Sequence, residues 1–224
     1  MKRVSPPHKP DADSPRRKRM KSDQRRRQLI DVAIALFSEK GFGGTTTREI
    51  AKAANVNEAI IFRHFETKEG LYAAILDQRA RETLSAEAFE VLRGLATLGD
   101  DVGFFRFLVQ RILHAFRDYP QYQRLLLFSS LENHPFALGY HERFVAPSFK
   151  FVREYIEHRQ RQKAFRKCDA GMAVFFLASM AAQYGMNRWL FDRNNPRASE
   201  EEVIEAVVEL FLRGVRTGSA EPSR

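Results

Sequence analysis

The sequence predicts an all-α fold in which an N-terminal three-helix helix-turn-helix domain precedes a larger helical domain. Within residues 45–76, two short helical segments and the turn between them have the order and spacing of a helix-turn-helix. After residue 68, apolar residues recur at helical spacing through most of the chain. Hydrophobic residues make up 44% of the chain, which is enough to form a buried core in a chain of this length.

Composition and patterning divide the chain into four segments. Residues 1–22 are rich in Pro, Ser, Lys and Arg and almost lack apolar residues, which predicts a disordered basic arm. The helix-turn-helix domain is predicted over 23–70 and the larger helical domain over 71–217. Residues 218–224 are predicted to be a tail.

The first helix is predicted over 23–40, because its apolar residues share one face and Gly41 can end it. Thr46 or Thr47 can cap the second helix. Asn55 lies at the turn, where the backbone needs a positive φ that Asn tolerates better than most residues. The next helix is predicted to begin after an Asn57 cap and to end near His64.

A Thr67 cap is predicted to open a helix over 68–92, which would link the two domains. Gly94, Gly99 and Gly103 are predicted to mark a break before a helix that Asp100 or Asp101 opens and Tyr119-Pro120 ends.

The rest of the larger domain is predicted as helices over 121–132, 136–163 and 170–191 and a last helix over 199–216. Pro147 is expected to interrupt the second of these, and Asp169 to cap the third. Ser199 and Glu202 have the spacing of a capping box at the start of the last helix.

The positive charge is concentrated at the N-terminal end. The formal net charge is +9, and residues 1–27 hold eleven Lys or Arg against three Asp. This asymmetry predicts a polyanionic partner that meets the N-terminal end of the protein, although a solvated tail that aids solubility has the same composition.

Several classes of protein are disfavoured by what the sequence lacks. The single cysteine, Cys168, excludes an intramolecular disulfide and a Cys-based zinc site, and the six His have no metal-ligand spacing. No apolar run reaches membrane-spanning length, so a cytoplasmic protein without membrane contact is expected. The absence of G-x-S-x-G, P-loop and G-x-G-x-x-G motifs predicts a protein that is not an enzyme and binds no cofactor or metal.

The block from residue 25 to residue 76 resembles the DNA-binding domain of TetR/AcrR-family transcriptional regulators. The matching features are A-x-x-L-F-x-x-x-G-F at the end of the first helix, then T-T-x-x-I-A-x-x-A, V-x-x-x-x-I-F-x-H-F and K-E-x-L. The block is about a quarter of the chain, and the remainder matches only in helical character and length.

The resemblance implies a set of DNA-contacting residues. A pair of residues at the start of the second helix would hold a phosphate of the DNA. The start of the third helix would read base edges and its end would contact phosphates. A lysine after the third helix would contact the DNA backbone. In this sequence these residues are, in that order, Thr46 and Thr47; Asn57, Glu58, Ala59 and Ile60; Phe62, Arg63 and His64; and Lys68. Arg63 can alternatively contact a guanine.

Four residues depart from the family pattern. Phe62 replaces a Tyr whose hydroxyl would bond a phosphate, and Asn55 replaces the usual Gly. Glu58 stands where Lys or Ser is common, and either favours its own helix dipole or accepts from a cytosine amino group. Ile60, often Thr in relatives, can contact a thymine methyl.

The last two helices are predicted to form a homodimer. The segments 170–191 and 199–216 carry more apolar residues than one neighbour can cover, and with their copies would form a four-helix bundle. An ordinary monomer core is the alternative interpretation.

The resemblance also implies a ligand pocket among the middle helices. Its predicted lining is rich in Phe and Met, which favours a small, largely apolar ligand, although an aromatic stripe at helical spacing is also typical of a filled core. The candidate lining residues are Phe105, Leu108, Ile112, Phe128, Phe176, Met180, Gln183 and Tyr184, with Phe104, Phe144, Phe151, His114, Asn187 and Arg188 as further candidates.

Together these observations predict a dimeric, sequence-specific DNA-binding transcriptional regulator. The expected form is a repressor that a small-molecule effector, not identified by the sequence, releases from a palindromic operator in double-stranded DNA. The alternatives are an architectural DNA-binding protein without an effector and an activator of the same fold.

Overall fold

The computed structural model describes residues 22–83, 86–191 and 198–217. The basic arm up to residue 21, the loop over 192–197 and the tail after residue 217 lie outside the described residues. Within the described ranges the chain forms eleven α-helices, and its extended pairing is limited to an isolated bridge between Phe165 and Arg216. The predicted all-α fold is therefore confirmed.

The helices follow each other with short connections. A π-helical turn, His141–Val145, joins α8 to α9, and a second, Met186–Leu190, follows α10. The helices are α1 (Ser22–Lys40), α2 (Thr47–Ala53), α3 (Glu58–Phe65), α4 (Lys68–Thr83), α5 (Ala86–Leu98), α6 (Asp101–Asp118), α7 (Pro120–Leu131), α8 (Pro135–Tyr140), α9 (Ala146–Arg161), α10 (Ala170–Gly185) and α11 (Glu200–Val215).

The predicted caps of the small helices are confirmed. Thr46 forms a capping box with Glu49, and the Asn57 side chain accepts from the Ala59 N–H at 2.9 Å. The Thr67 hydroxyl accepts from the Gly70 N–H at 2.9 Å, and Asn55 has the expected positive φ of 53°. These local hydrogen bonds set where the helices of the helix-turn-helix begin.

Caps predicted in the larger domain are also confirmed. Asp100 accepts from the Gly103 N–H and Asp169 from the Met172 N–H, which opens α6 and α10. Ser199 and Glu202 form the capping box of α11.

Of the predicted breaks, the one before α6 is found only at Gly99, whose φ is 67°, and the one at Pro147 is wrong. α5 runs through Gly94 and ends at Leu98, and Gly103 lies inside α6. A helical glycine costs about 1 kcal/mol, and burial of the neighbouring Leu92 offsets that cost. Pro147 does not interrupt a helix either, because it lies in the first turn of α9, where its missing N–H is not needed.

The helix predicted over 68–92 is described as two helices, α4 and α5, with residues 84–85 outside the described ranges. The domain boundary predicted between residues 70 and 71 lies inside α4. Leu71, Tyr72 and Ile75 of this helix are buried in the same core as α1, α2 and α3. Tyr122 and Leu125 of α7 belong to this core as well, so α7 completes the N-terminal domain.

The larger core is formed by α5, α6, α9, α10 and α11. Inside it, Phe105 stacks among aromatic rings and is fully buried. At its edge the buried Asp101 carboxylate accepts hydrogen bonds from the Tyr155 hydroxyl at 2.6 Å and the Arg159 guanidinium at 2.8 and 2.9 Å. A buried carboxylate with these partners holds the start of α6 against α9.

The last two helices differ in where their apolar side chains lie. α11 buries Val203, Ile204, Val207, Val208 and Phe211 inside its own chain. α10 instead leaves Met172, Phe175 and Phe176 about half exposed, at 48%, 53% and 55%. The excess of apolar residues predicted for both helices is therefore found mainly on α10.

Candidate nucleic-acid interface and ligand cavity

The outer face of α3 is exposed on the N-terminal domain. Ile61 and Phe65 point into the core, and this fixes the opposite side of the helix outward. Ala59 and Arg63 are exposed and Phe62 is 44% exposed. Ile60 is half-buried and packs against the core, so less of it than predicted is available to a thymine methyl.

The N-terminus of α2 already holds a carboxylate of the protein. Glu49 accepts from the Thr46 N–H at 2.9 Å and from the Lys40 ammonium at 2.7 Å. The Lys40 hydrogen bond, together with those of Thr46, lowers the pKa of Glu49 to about 2. A phosphate at this N-terminus would therefore approach beside a charged carboxylate.

Thr47 and Glu58 contact each other across the helix-turn-helix. The Thr47 hydroxyl donates to Glu58 Oε1 at 2.6 Å, and both side chains are half-buried. The Thr47 hydroxyl is predicted to contact a phosphate and the Glu58 carboxylate to contact a base. In the protein alone these two groups are hydrogen-bonded to each other.

Lys68, which is predicted to contact the DNA backbone, is held by contacts within the protein. Its ammonium donates to the Phe42 carbonyl and lies 4.0 Å from the centroid of the Phe42 ring. Burial lowers its pKa. Phe42 in turn packs on Phe37 and Tyr72, so Lys68 closes the aromatic cluster that joins the α1–α2 loop to α4.

The arginines at the start of α1 are further candidate site residues. From the sequence they were counted only in the positive charge of the N-terminal end. The Arg26 guanidinium lies 4.9 Å from the centroid of the Phe65 ring, at the end of α3. Burial and the nearby charges of Arg26, Arg63 and Arg25 lower the pKa of His64. The sequence shows these residues as the run R-R-R at 25–27. Only the fold brings Arg25 and Arg26 near Arg63 and His64.

The larger domain contains a half-open cavity of about 310 Å³. Its wall comes from α5, α6, α9, α10, the end of α8 and the turn that joins α8 to α9, and is almost wholly apolar. The larger apolar side chains in the wall are Phe89, Leu92, Phe107, Leu108, Ile112, Phe144, Phe149, Phe151, Val152, Val174 and Leu177. Arg111, Tyr140 and Ser148 are the polar residues among those that line it.

The predicted lining residues divide between this cavity and other places. Leu108, Ile112, Phe144 and Phe151 line the cavity. Phe104 and Phe105 are buried in the core instead, where their rings meet edge-on and both contact the Tyr155 ring.

The other predicted lining residues are also outside the wall of this cavity. Phe176 and Gln183 are exposed on α10. His114 Nε2 lies 3.0 Å from Glu200 Oε1. Phe128, Met180, Tyr184, Asn187 and Arg188 complete the group that does not line it. Helical spacing alone did not distinguish cavity, core and outer face.

Two other kinds of feature are absent from the described residues. No group of three or more His, Cys, Asp or Glu side chains there is placed to hold a metal ion. None of the helices in these ranges combines the length and apolar character needed to cross a membrane.

Residues 29–75 match the family described as bacterial regulatory proteins, tetR family. The chain carries a TetR-family DNA-binding domain. The match begins at the first buried residue of α1 and ends at Ile75, which is buried in the N-terminal core, so the matched residues coincide with that core in α1 to α4 as far as its side chains are described.

Curated relatives share this domain and little more. The uncharacterised HTH-type transcriptional regulator YvkB of Bacillus subtilis is 48% identical over 54 residues, which are 24% of this chain and 29% of that protein. IcaR of Staphylococcus aureus, a negative transcriptional regulator of the biofilm operon icaADBC, is 49% identical over 45 residues, 20% of this chain and 24% of that protein. The chain thus matches less than a third of the length of these relatives.

Solved structures share the fold over most of the chain. AibR, solved with isovaleryl coenzyme A and operator DNA, has a TM-score of 0.63 at 18% identity over 83% of this chain and 97% of that one. The hemolysin II transcriptional regulator HlyIIR has a TM-score of 0.63 at 18% identity over 88% of this chain and 100% of that one. The fold of the larger helical domain is therefore also found in these two proteins.

Proposed function

We propose that this protein is a dimeric transcriptional regulator that represses by binding a palindromic operator through α3. The observation that carries the proposal is the TetR-family domain with an exposed outer face of α3 and arginines at its end. Arginine side chains there supply phosphate contacts or bidentate contacts to guanine, and either use suits the major groove.

A dimer is supported by the exposed apolar face of α10. Met172, Phe175 and Phe176 form a cluster that water contacts in the single chain and that a second copy would cover. Two copies related by a twofold axis would place two α3 helices toward one face of DNA, which is how a palindrome is read.

Release by a small apolar ligand is supported by the cavity. A space of about 310 Å³ with an apolar wall suits a small apolar or aromatic molecule. AibR was solved with both an acyl coenzyme A and operator DNA, and IcaR is a negative regulator, which favours the repressor over an activator. An architectural DNA-binding protein would not need the cavity.

The proposal is tested by selecting binding sites from random DNA with the purified full-length protein. We expect an inverted repeat to be enriched. Arg63→Ala should weaken binding to the selected site about 5- to 150-fold, since one good base or phosphate-clamping contact contributes about 1–3 kcal/mol.

The matched control is Arg161→Ala, which removes an equal charge from the exposed end of α9. It should leave the affinity within about twofold, because surface charges away from the contact act weakly at physiological salt. Equal affinity for selected and random DNA, with a steep salt dependence, would contradict sequence-specific regulation and favour the architectural alternative.

A further inference from the structure

Two aromatic residues belong to both functional parts of the molecule. Tyr140, the last residue of α8, and Phe144, in the π-helical turn, line the cavity. The same two side chains pack against the core of the N-terminal domain. Among the described residues, they alone occur in both sets.

Their contacts continue directly into the N-terminal core. The Phe144 and Tyr140 ring centroids are 5.7 Å apart, and the Tyr140 ring meets the Tyr122 ring edge-on at 6.0 Å and 73°. Tyr122 is 3% exposed and lies in α7, which packs along α1. A chain of three rings in contact therefore runs from the cavity wall to α7, which packs on α1, and α1 in turn packs on the two helices that contact α3, α2 and α4.

This ring route is separate from the connection that α4 and α5 make along the chain. The cavity wall begins at Ala88 in α5, and none of the described side chains of α4 lines it. α8, by contrast, packs against both α7 and α4. An occupant of the cavity can thus reach the N-terminal domain through side-chain contacts of α8 and α7 that do not pass along α4.

The π-helical turn gives this wall a means of moving. His141–Val145 carries Phe144 and Val145 into the cavity wall, between α8 and α9. A π-helical turn is wider than an α-helical turn and is found mostly as a single turn at functional sites. A shift of its hydrogen-bond register can move α8 relative to α9 without breaking either helix.

We propose that Tyr140 transmits occupancy of the cavity to the TetR-family domain, through its ring contact with Tyr122 on α7. An occupant that displaces Phe144 displaces Tyr140, and Tyr122, which is buried in the close-packed N-terminal core, moves with the helix that carries it. α7 then moves against α1, and the spacing of the two α3 helices in a dimer changes. This regulation rests on the proposed function, since its consequence is a change in DNA affinity.

The test fills the cavity from within, because the ligand is unidentified. Ala178 of α10 lines the cavity, and Ala178→Phe places an aromatic ring in it. Hydrogen exchange followed by mass spectrometry reports on α1 and α7, and binding to the selected operator reports on the DNA-binding state. Ala182→Leu, a smaller occupant from the same wall, replaces Ala178→Phe if that variant does not fold.

The occupant should change exchange in α1 and α7, and operator affinity, about 2- to 30-fold, the range spanned by coupling through packed side chains. Tyr140→Leu keeps an apolar side chain and loses the ring, so the same occupant should then change neither. Tyr140→Phe keeps the ring and should retain both effects. Leu138→Ala, at a 61% exposed site on α8 outside the cavity wall, is the matched control and should also retain both.

The outcomes separate the two proposals. If the protein has no sequence preference on DNA but exchange in α7 still follows occupancy through Tyr140, the proposed function fails and the transmission stands. If the operator is bound specifically but Tyr140→Leu leaves the effect of the occupant intact, the transmission is overturned. An occupant that changes exchange only around α5 overturns it as well.

Discussion

Glu58 carries a carboxylate at the beginning of the helix that the proposed function offers to DNA. Its Oε1 accepts from the Thr47 hydroxyl at 2.6 Å, which leaves its other oxygen without that partner. Near phosphates a negative charge is unfavourable, by about 1 kcal/mol at 4 Å in water. Unless a cytosine amino group donates to it, Glu58 should therefore weaken DNA binding.

Glu58→Gln tests this residue because the amide keeps the shape and an acceptor oxygen for Thr47. Removal of the charge should tighten binding to random DNA about fivefold, the factor that corresponds to about 1 kcal/mol. Fluorescence anisotropy at fixed salt measures it, with Glu154→Gln on the exposed surface of α9 as the control for net charge. A loss of affinity confined to sites with a cytosine would instead assign Glu58 to base reading.

The helix that differs most from an ordinary surface helix is α10. Its inner face, with Val174 and Leu177, is buried in the chain, while Met172, Phe175 and Phe176 form an outer apolar face. Fully burying one such side chain contributes about 1.5–3 kcal/mol, so three of them on each of two copies can stabilise a dimer. α11 contributes mainly Leu210, which is 65% exposed.

Phe176→Glu should therefore dissociate the dimer. A charge left unpaired in an interface costs about 3–5 kcal/mol, which raises the dimer dissociation constant at least about 100-fold. Analytical ultracentrifugation over a range of protein concentrations measures this constant. Leu98→Glu, at a site 82% exposed on α5, is the control and should not change it. If the unmodified chain sediments as a monomer at micromolar concentration, the α10 interface is wrong.

For the molecule as a whole, most of the net positive charge lies before the folded domains. Residues 2–21 hold eight Lys or Arg, whereas the buried core begins only at Leu29. Charge placed there is expected to add sequence-independent attraction to DNA and little to the stability of the domains.

Deletion of residues 1–21 should accordingly leave the helical circular dichroism and the dimer unchanged. The slope of log affinity against log salt should become less steep by about 0.9 for each phosphate contact that the arm makes. Titrations of DNA binding at several salt concentrations measure it. Loss of folding would show that the arm is structural, and an unchanged slope would show that it makes no phosphate contact.

The features that were predictable from sequence are those decided by near neighbours. Thr46, Asn57, Asp169 and Ser199 cap helices because their side chains reach an N–H two or three residues away. Asn55 takes a positive φ because a tight turn between two helices needs one. The TetR-family resemblance rested on the same local motif, and the family match covers residues 29–75 of the chain.

What the sequence by itself determined is the all-α class, the helix caps and the helix-turn-helix with its TetR-family motif, because these depend on interactions within a few residues. Only the tertiary structure decided that Phe105 fills the core, that Phe176 faces outward and that Tyr140 touches both the cavity and the N-terminal domain. Core, cavity and outer-face residues of a buried helix share one apolar spacing. Which of these a residue becomes depends on the helix that packs beside it, and that helix is distant in sequence.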